Sequence, residues 1–147
     1  MSSEANKATV RKIYEEVVGR RNYHLIDDIV SPDFFDHNAQ RYGWALGRDG
    51  FREHAEFLHS VFADVEIVVE EVVADGDRVV AFWSLTGTHR GEVWGVAPTG
   101  RRVSGGTTSL FRFKDGRVVE YEARPDRLTM LVQLGSFGSY AQTLGQP

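Results

Sequence analysis

The chain has 147 residues, 17 lysines and arginines against 21 acidic residues, and no cysteine. That length predicts one domain with an adequate core, and the absence of thiols excludes a disulfide framework, a thiolate metal site and a cysteine nucleophile. A formal charge of −4 leaves no basic footprint for nucleic acid or an anionic membrane.

The N-terminus has no apolar stretch behind a basic start, and the longest apolar run, Val79 to Trp83, is far too short to span a bilayer. A soluble, cytoplasmic protein is the expectation. Val10, Ile13, Tyr14, Val17 and Val18 form one apolar helical stripe, with Ser3 or Asn6 able to cap its start. Asn22 can cap a short second helix carrying Leu25, Ile26, Ile29 and Val30, which Ser31-Pro32 ends. Residues 34–38 then read as extended. Asp49 can cap a third helix with Phe51, Ala55, Leu58 and Phe62 on one face.

Strands follow. Residues 65–74 are rich in β-branched side chains, and Asp75-Gly76-Asp77 is a turn. Residues 78–89 and 103–113 read as the next two strands, joined by a glycine- and proline-bearing loop, 90–100. Asp115-Gly116 is the strongest hairpin signal, and 118–123 runs back from it until Pro125. Leu128, Leu131, Val132 and Leu134 predict a last short helix before Gly135, and 136–147 is a C-terminal tail without periodicity. Helices first and hairpins afterwards mean an α+β fold, with the helices covering one face of an antiparallel sheet.

Several segments resemble one family. They are Pro32-Asp33-Phe34-Phe35-Asp36-His37, Gly76-Asp77-Arg78-Val79-Val80, Thr86 to Glu92, Gly95 to Arg101, Phe111 to Glu120, and Asp126 with Leu131-Val132-Gln133-Leu134-Gly135. In this order the chain is similar to the SnoaL-like polyketide cyclases of the NTF2-like superfamily. The resemblance implies an NTF2-like cone, with N-terminal helices on a strongly curved antiparallel sheet. It also implies a homodimer, no metal, no organic cofactor, and a polycyclic aromatic small molecule as substrate. The best-known members close the last ring of such polyketides by an intramolecular aldol reaction. A sister branch takes part in hydroxylating the same class of compound without a bound cofactor.

By position in that family, Asp126 matches the general-base aspartate, Ser109 falls where a histidine stands and Thr107 where a glutamine stands. A serine cannot supply a proton near neutral pH as imidazole can. Read on its own residues, Asp126 is either a desolvated base or the cap of the last helix. Gly105, Thr107 and Ser109 alternate along one strand and share a face, so Ser109 and Thr107 can donate to an enolate oxygen or face solvent. Glu122 can face the same way as Asp126.

His89 can replace the missing acid, or it holds the 90–100 loop by hydrogen bonds. His37 can hang over the mouth of the cone. Asp33, Asp36 and His37 match no strong ligand spacing, so no metal site is expected. His54 and His59 lie on different faces of their helix, which rules out the i, i+4 ligand pair. His24 has no distinguishing context. Trp83 shares strand parity with Ala81, Leu85 and His89 and is core or pocket wall. Trp44 and Trp94 lie in loops, where an exposed ring asks for a partner or a lid role. Tyr14 and Tyr42 are pocket phenols or packing.

The expected function is a polyketide tailoring enzyme that removes an acidic C–H proton and closes a ring. The alternatives are hydroxylation of the same enolate, a proton shuttle of the steroid-isomerase kind, and a non-catalytic ligand-binding or dimerisation module.

Overall fold

The Ser2 hydroxyl accepts the Ala5 N–H and starts helix α1, Ser3–Lys12. The computed structural model describes residues 2–137, so most of the expected tail lies outside the described residues. After Lys12 the same helix widens into a π-helical stretch, Ile13–Gly19. Gly19 permits this, because a Cβ there would come within 2.9 Å of the Tyr14 carbonyl oxygen. The apolar spacing is unchanged, so Ile13, Tyr14, Val17 and Val18 are all buried.

A 3₁₀ turn leads into α2, Ile26–Ile29, and then into strand β1, Val30–Asp36. A one-turn helix α3, Ala39–Tyr42, precedes α4, Gly47–Val61. Helix α4 begins earlier than the expected Asp49 cap. Four long strands follow: β2, Phe62–Asp75; β3, Arg78–His89; β4, Arg102–Lys114; and β5, Arg117–Pro125. The chain closes on α5, Arg127–Gln133.

The sheet order is β1-β5-β4-β3-β2. Strands β2 to β5 are antiparallel neighbours, as expected, but β1 runs parallel to β5, so the sheet is mixed. Register breaks in β2, between 63 and 66 and between 69 and 71, bend the sheet around the helices. Helices α1 and α4 pack into the concave face. There Val79, Ala81, Trp83 and Leu85 of β3 alternate inward with Val103, Ser109 and Phe111 of β4. No helix among the described residues is long and apolar enough to cross a membrane.

Two attachments shape the open end. Gln133 brackets the Ser104 backbone, accepting its N–H at 2.9 Å and donating to its carbonyl at 2.7 Å, which pins α5 across β4. Gly105 makes room for this, since a Cβ there would meet Met130 Cγ at 2.6 Å. The 90–100 loop is fastened to the α4–β2 corner by the Arg90 and Gly91 N–H groups, both donating to Val61 O.

Candidate active site

Between the helices and the concave sheet lies a cavity of about 940 Å³, counting the part open to solvent at its mouth. Ile13, Tyr14, Val18, Phe51 and Leu58 form its helical wall, and Trp83, Leu85, Thr107, Phe111 and Tyr121 its sheet wall. Met130 of α5 also lines it. At the mouth, Tyr42 stacks on Trp44 with centroids 4.5 Å apart, and Trp94 donates its Nε1–H to the Tyr42 hydroxyl at 3.0 Å. No lysine, arginine, aspartate or glutamate lines it among the described residues.

Apart from Asn38, Thr107 and the Tyr42–Trp94 pair at the mouth, the polar groups in this apolar space form two sets. The first is His54 of α4 with Asp36 at the end of β1. The His54 Nδ1–H donates to Asp36 Oδ2 at 2.6 Å, and Asp36 Oδ1 accepts the Asn38 N–H at 2.7 Å. Asp36 is buried and His54 is mostly so. In the neutral form whose Nδ1 carries the hydrogen toward the carboxylate, Nε2 keeps its lone pair, and among the described residues it takes no hydrogen bond. The Trp44 ring stacks on the imidazole at 4.2 Å.

The second set is hydroxylic. Trp83 Nε1–H donates to Ser109 Oγ at 2.9 Å, Ser109 Oγ lies 3.1 Å from the Tyr121 hydroxyl, and that hydroxyl lies 3.4 Å from Tyr14 Oη. Burial pushes the Tyr121 phenol up to about 12. Burial and the neighbouring Tyr121 raise Tyr14 well above its ordinary value. Both phenols are therefore protonated donors at neutral pH.

Five of the expected site residues belong to this region: Tyr14, Trp44, Trp83 and Thr107 line the cavity, and Ser109 stands behind Tyr121. Three do not. Asp126 is exposed and caps α5, accepting the Thr129 N–H at 3.1 Å and its hydroxyl at 2.8 Å. Those hydrogen bonds hold the carboxyl below its usual range, the reverse of a desolvated base. The β5 residues that reach the cavity are Tyr121, Ala123 and Pro125, none of them a carboxylate. His37 points outward and pairs with Glu120 at 3.2 Å, on the opposite side of the strand from Asp36. His89 is fully buried away from the cavity lining. Its Nδ1 accepts the Thr99 N–H, so it fastens the 90–100 loop, and its Nε2 has no partner among the described residues.

The sequence offers His54 and Asp36 only as metal-ligand candidates that fail on spacing, and it gives no mark to Tyr121. A signal existed for one of them: His54 sits in the stripe of Phe51, Ala55 and Leu58, a histidine on an otherwise apolar helix face.

The model of the SnoaL-like polyketide cyclase family matches residues 8–134. The chain is 31% identical over 112 residues to a nogalonic acid methyl ester cyclase of Streptomyces nogalater, covering 75% of this chain and 83% of that protein. Among solved structures it is similar to IdmH of Streptomyces antibioticus, a proposed polyketide cyclase. That match has a TM-score of 0.75 at 30% identity and covers 88% and 98% of the two chains. It is also similar to AclR of Streptomyces galilaeus, a proposed hydroxylase, with a TM-score of 0.74 at 29% identity over 92% and 88% of the chains.

Proposed function

We propose that this chain, which belongs to the SnoaL-like polyketide cyclase family, closes a ring in an aromatic polyketide with the His54–Asp36 pair as its base. A C–H flanked by carbonyls gives its proton to His54 Nε2, and the electron pair moves onto the substrate as an enolate. The enolate carbon bonds to a carbonyl carbon of the same molecule, and the new alkoxide takes the proton back from His54. The product is an isomer of the substrate, so no oxidant or reductant is required.

One observation carries the reading: a lone imidazole, held by a buried carboxylate at 2.6 Å, in an aromatic cavity with no other acid or base of comparable strength on its described lining. Asp36 fixes the tautomer and faces the positive charge that a proton on Nε2 creates. The flat faces of Tyr42, Trp44 and Trp94 suit fused rings.

The test is turnover of nogalonic acid methyl ester, followed by chromatography and mass spectrometry. His54→Ala is expected to lose about 10²- to 10⁴-fold in kcat. A His54→Ala enzyme at wild-type rate would sink the base assignment. The same enolate can add dioxygen to give a hydroperoxide, which a thiol or nicotinamide reductant would take to the alcohol. The likeness to AclR supports that second outcome. Label from ¹⁸O₂ in the product marks hydroxylation, and an unlabelled isomer marks cyclisation.

We infer in addition a homodimer formed across the outer face of the sheet. Val73, Val80 and Leu110 are cross-strand neighbours in one row of that face, with Phe82 beside them. Val73, Phe82 and Leu110 are exposed.

A further inference from the structure

We infer that Tyr14 and Tyr121 form an oxyanion site in this cavity, built to take the enolate oxygen of a flat β-dicarbonyl ligand. The inference rests on the proposed cyclase reading and goes beyond its base.

The two phenols come from opposite walls, Tyr14 from the π-helical stretch and Tyr121 from β5. Their oxygens are 3.4 Å apart, at the long limit of a bond between them. An anionic oxygen at the apex of that pair can accept from both at ordinary O–H···O⁻ lengths, roughly 2.5–2.7 Å. It would outcompete either neutral phenol as an acceptor, because bonds to an ionised partner are roughly twice as strong.

The donors are held rigidly. Tyr14 packs on Trp83 at 4.7 Å and edge-on to Phe111 at 5.9 Å, and Tyr121 lies 4.8 Å from Phe111. Behind them, the Trp83 N–H donated to Ser109 lets the serine hydroxyl donate to Tyr121. A phenol that accepts a hydrogen bond is a better donor in turn. Ser109 is thus a positioning residue that acts through Tyr121.

The surroundings are apolar, where fixed donors aimed at developing charge are worth most. Burial keeps both phenols protonated, so they act as donors rather than bases. The site also lies where the chemistry needs it. The His54 ring meets the Tyr121 ring edge-on with centroids 5.3 Å apart, so base and donors are neighbours on the cavity lining.

The probe pair is 2-hydroxy-1,4-naphthoquinone, a flat enolate at neutral pH, and its 2-methoxy ether, which keeps the flat ring system, adds one methyl group and has no charge. Binding is measured on the full chain by titration calorimetry. The wild type is expected to prefer the enolate. Tyr121→Phe and Tyr14→Phe are each expected to cut enolate affinity about tenfold or more, while ether affinity stays within about twofold and shows that the variant is folded.

The visible band of the bound enolate gives a second reading on the unaltered protein. It should shift to shorter wavelength as hydrogen bonds localise charge on oxygen. No preference in the wild type, an unshifted band, or full preference in both phenylalanine variants would overturn the site. Normal turnover by His54→Ala with the preference intact would overturn the base and leave this site standing.

Discussion

Two aspartates show how much surroundings decide. Asp36 and Asp126 are the same side chain, yet one is buried against an imidazole and the other is exposed at a helix start. Asp126 accepts two hydrogen bonds from Thr129, and an anion so stabilised is a poor base. Asp126→Asn keeps a capping oxygen, so turnover is expected to stay within about twofold of wild type. A hundredfold loss measured in the same assay would return the proton to Asp126. The cap was legible in the sequence, because an aspartate after proline and before an apolar run reads that way. The dyad was not. Asp36 and His54 lie 18 residues apart on a strand and a helix, and only the packing of α4 against β1 brings them together.

At the scale of elements, strand alternation was the most legible feature. Gly105, Thr107 and Ser109 share the concave face as their spacing requires, and the β3 strand runs from Arg78 to His89 as read. The π-helical stretch escaped because its apolar spacing also fits an ordinary α-helix; what permits it is local, the absence of a Cβ at Gly19 that would crowd the Tyr14 carbonyl. The parallel pairing of β1 with β5 escaped because edge pairing joins residues about ninety positions apart, with no local pattern to mark it. Alternation also has an outer face, and here that face carries Val68, Val73, Phe82 and Leu110 exposed. Phe82→Glu combined with Leu110→Glu is expected to convert a dimer to a monomer, read by gel filtration with light scattering. A wild type that runs as a monomer, or a variant that stays dimeric, would move the interface elsewhere.

At the scale of the molecule, one buried histidine ties the helical layer to the loop beyond the sheet. His59 donates Nε2–H to Val18 O at 2.7 Å at the end of the π-helical stretch, while its Nδ1 accepts from Arg21 at 3.0 Å and its carbonyl accepts from Arg90. Both ring nitrogens are engaged in the neutral form, and protonation would place a cation beside two arginines. Burial first, then Arg21 and Arg90, lower its pKa, against a partial rise from Val18 O. The folded state thus holds this proton more weakly than the unfolded chain, whose ordinary value is 6.5. Stability from this group is complete above 6.5, declines as pH falls through that value, and reaches its floor below the lowered folded value. Glu120, held below its ordinary 4.5 first by Arg112 and then by His37, and Asp126 lose their contributions only at more acid pH, so the two windows separate. Urea midpoints of the wild type are therefore expected to fall between pH 7.5 and 5.5, and those of His59→Gln to be nearly flat over that range. Parallel slopes for the two proteins would assign the acid sensitivity to another group and leave the π-helical junction without its pH-sensitive tie.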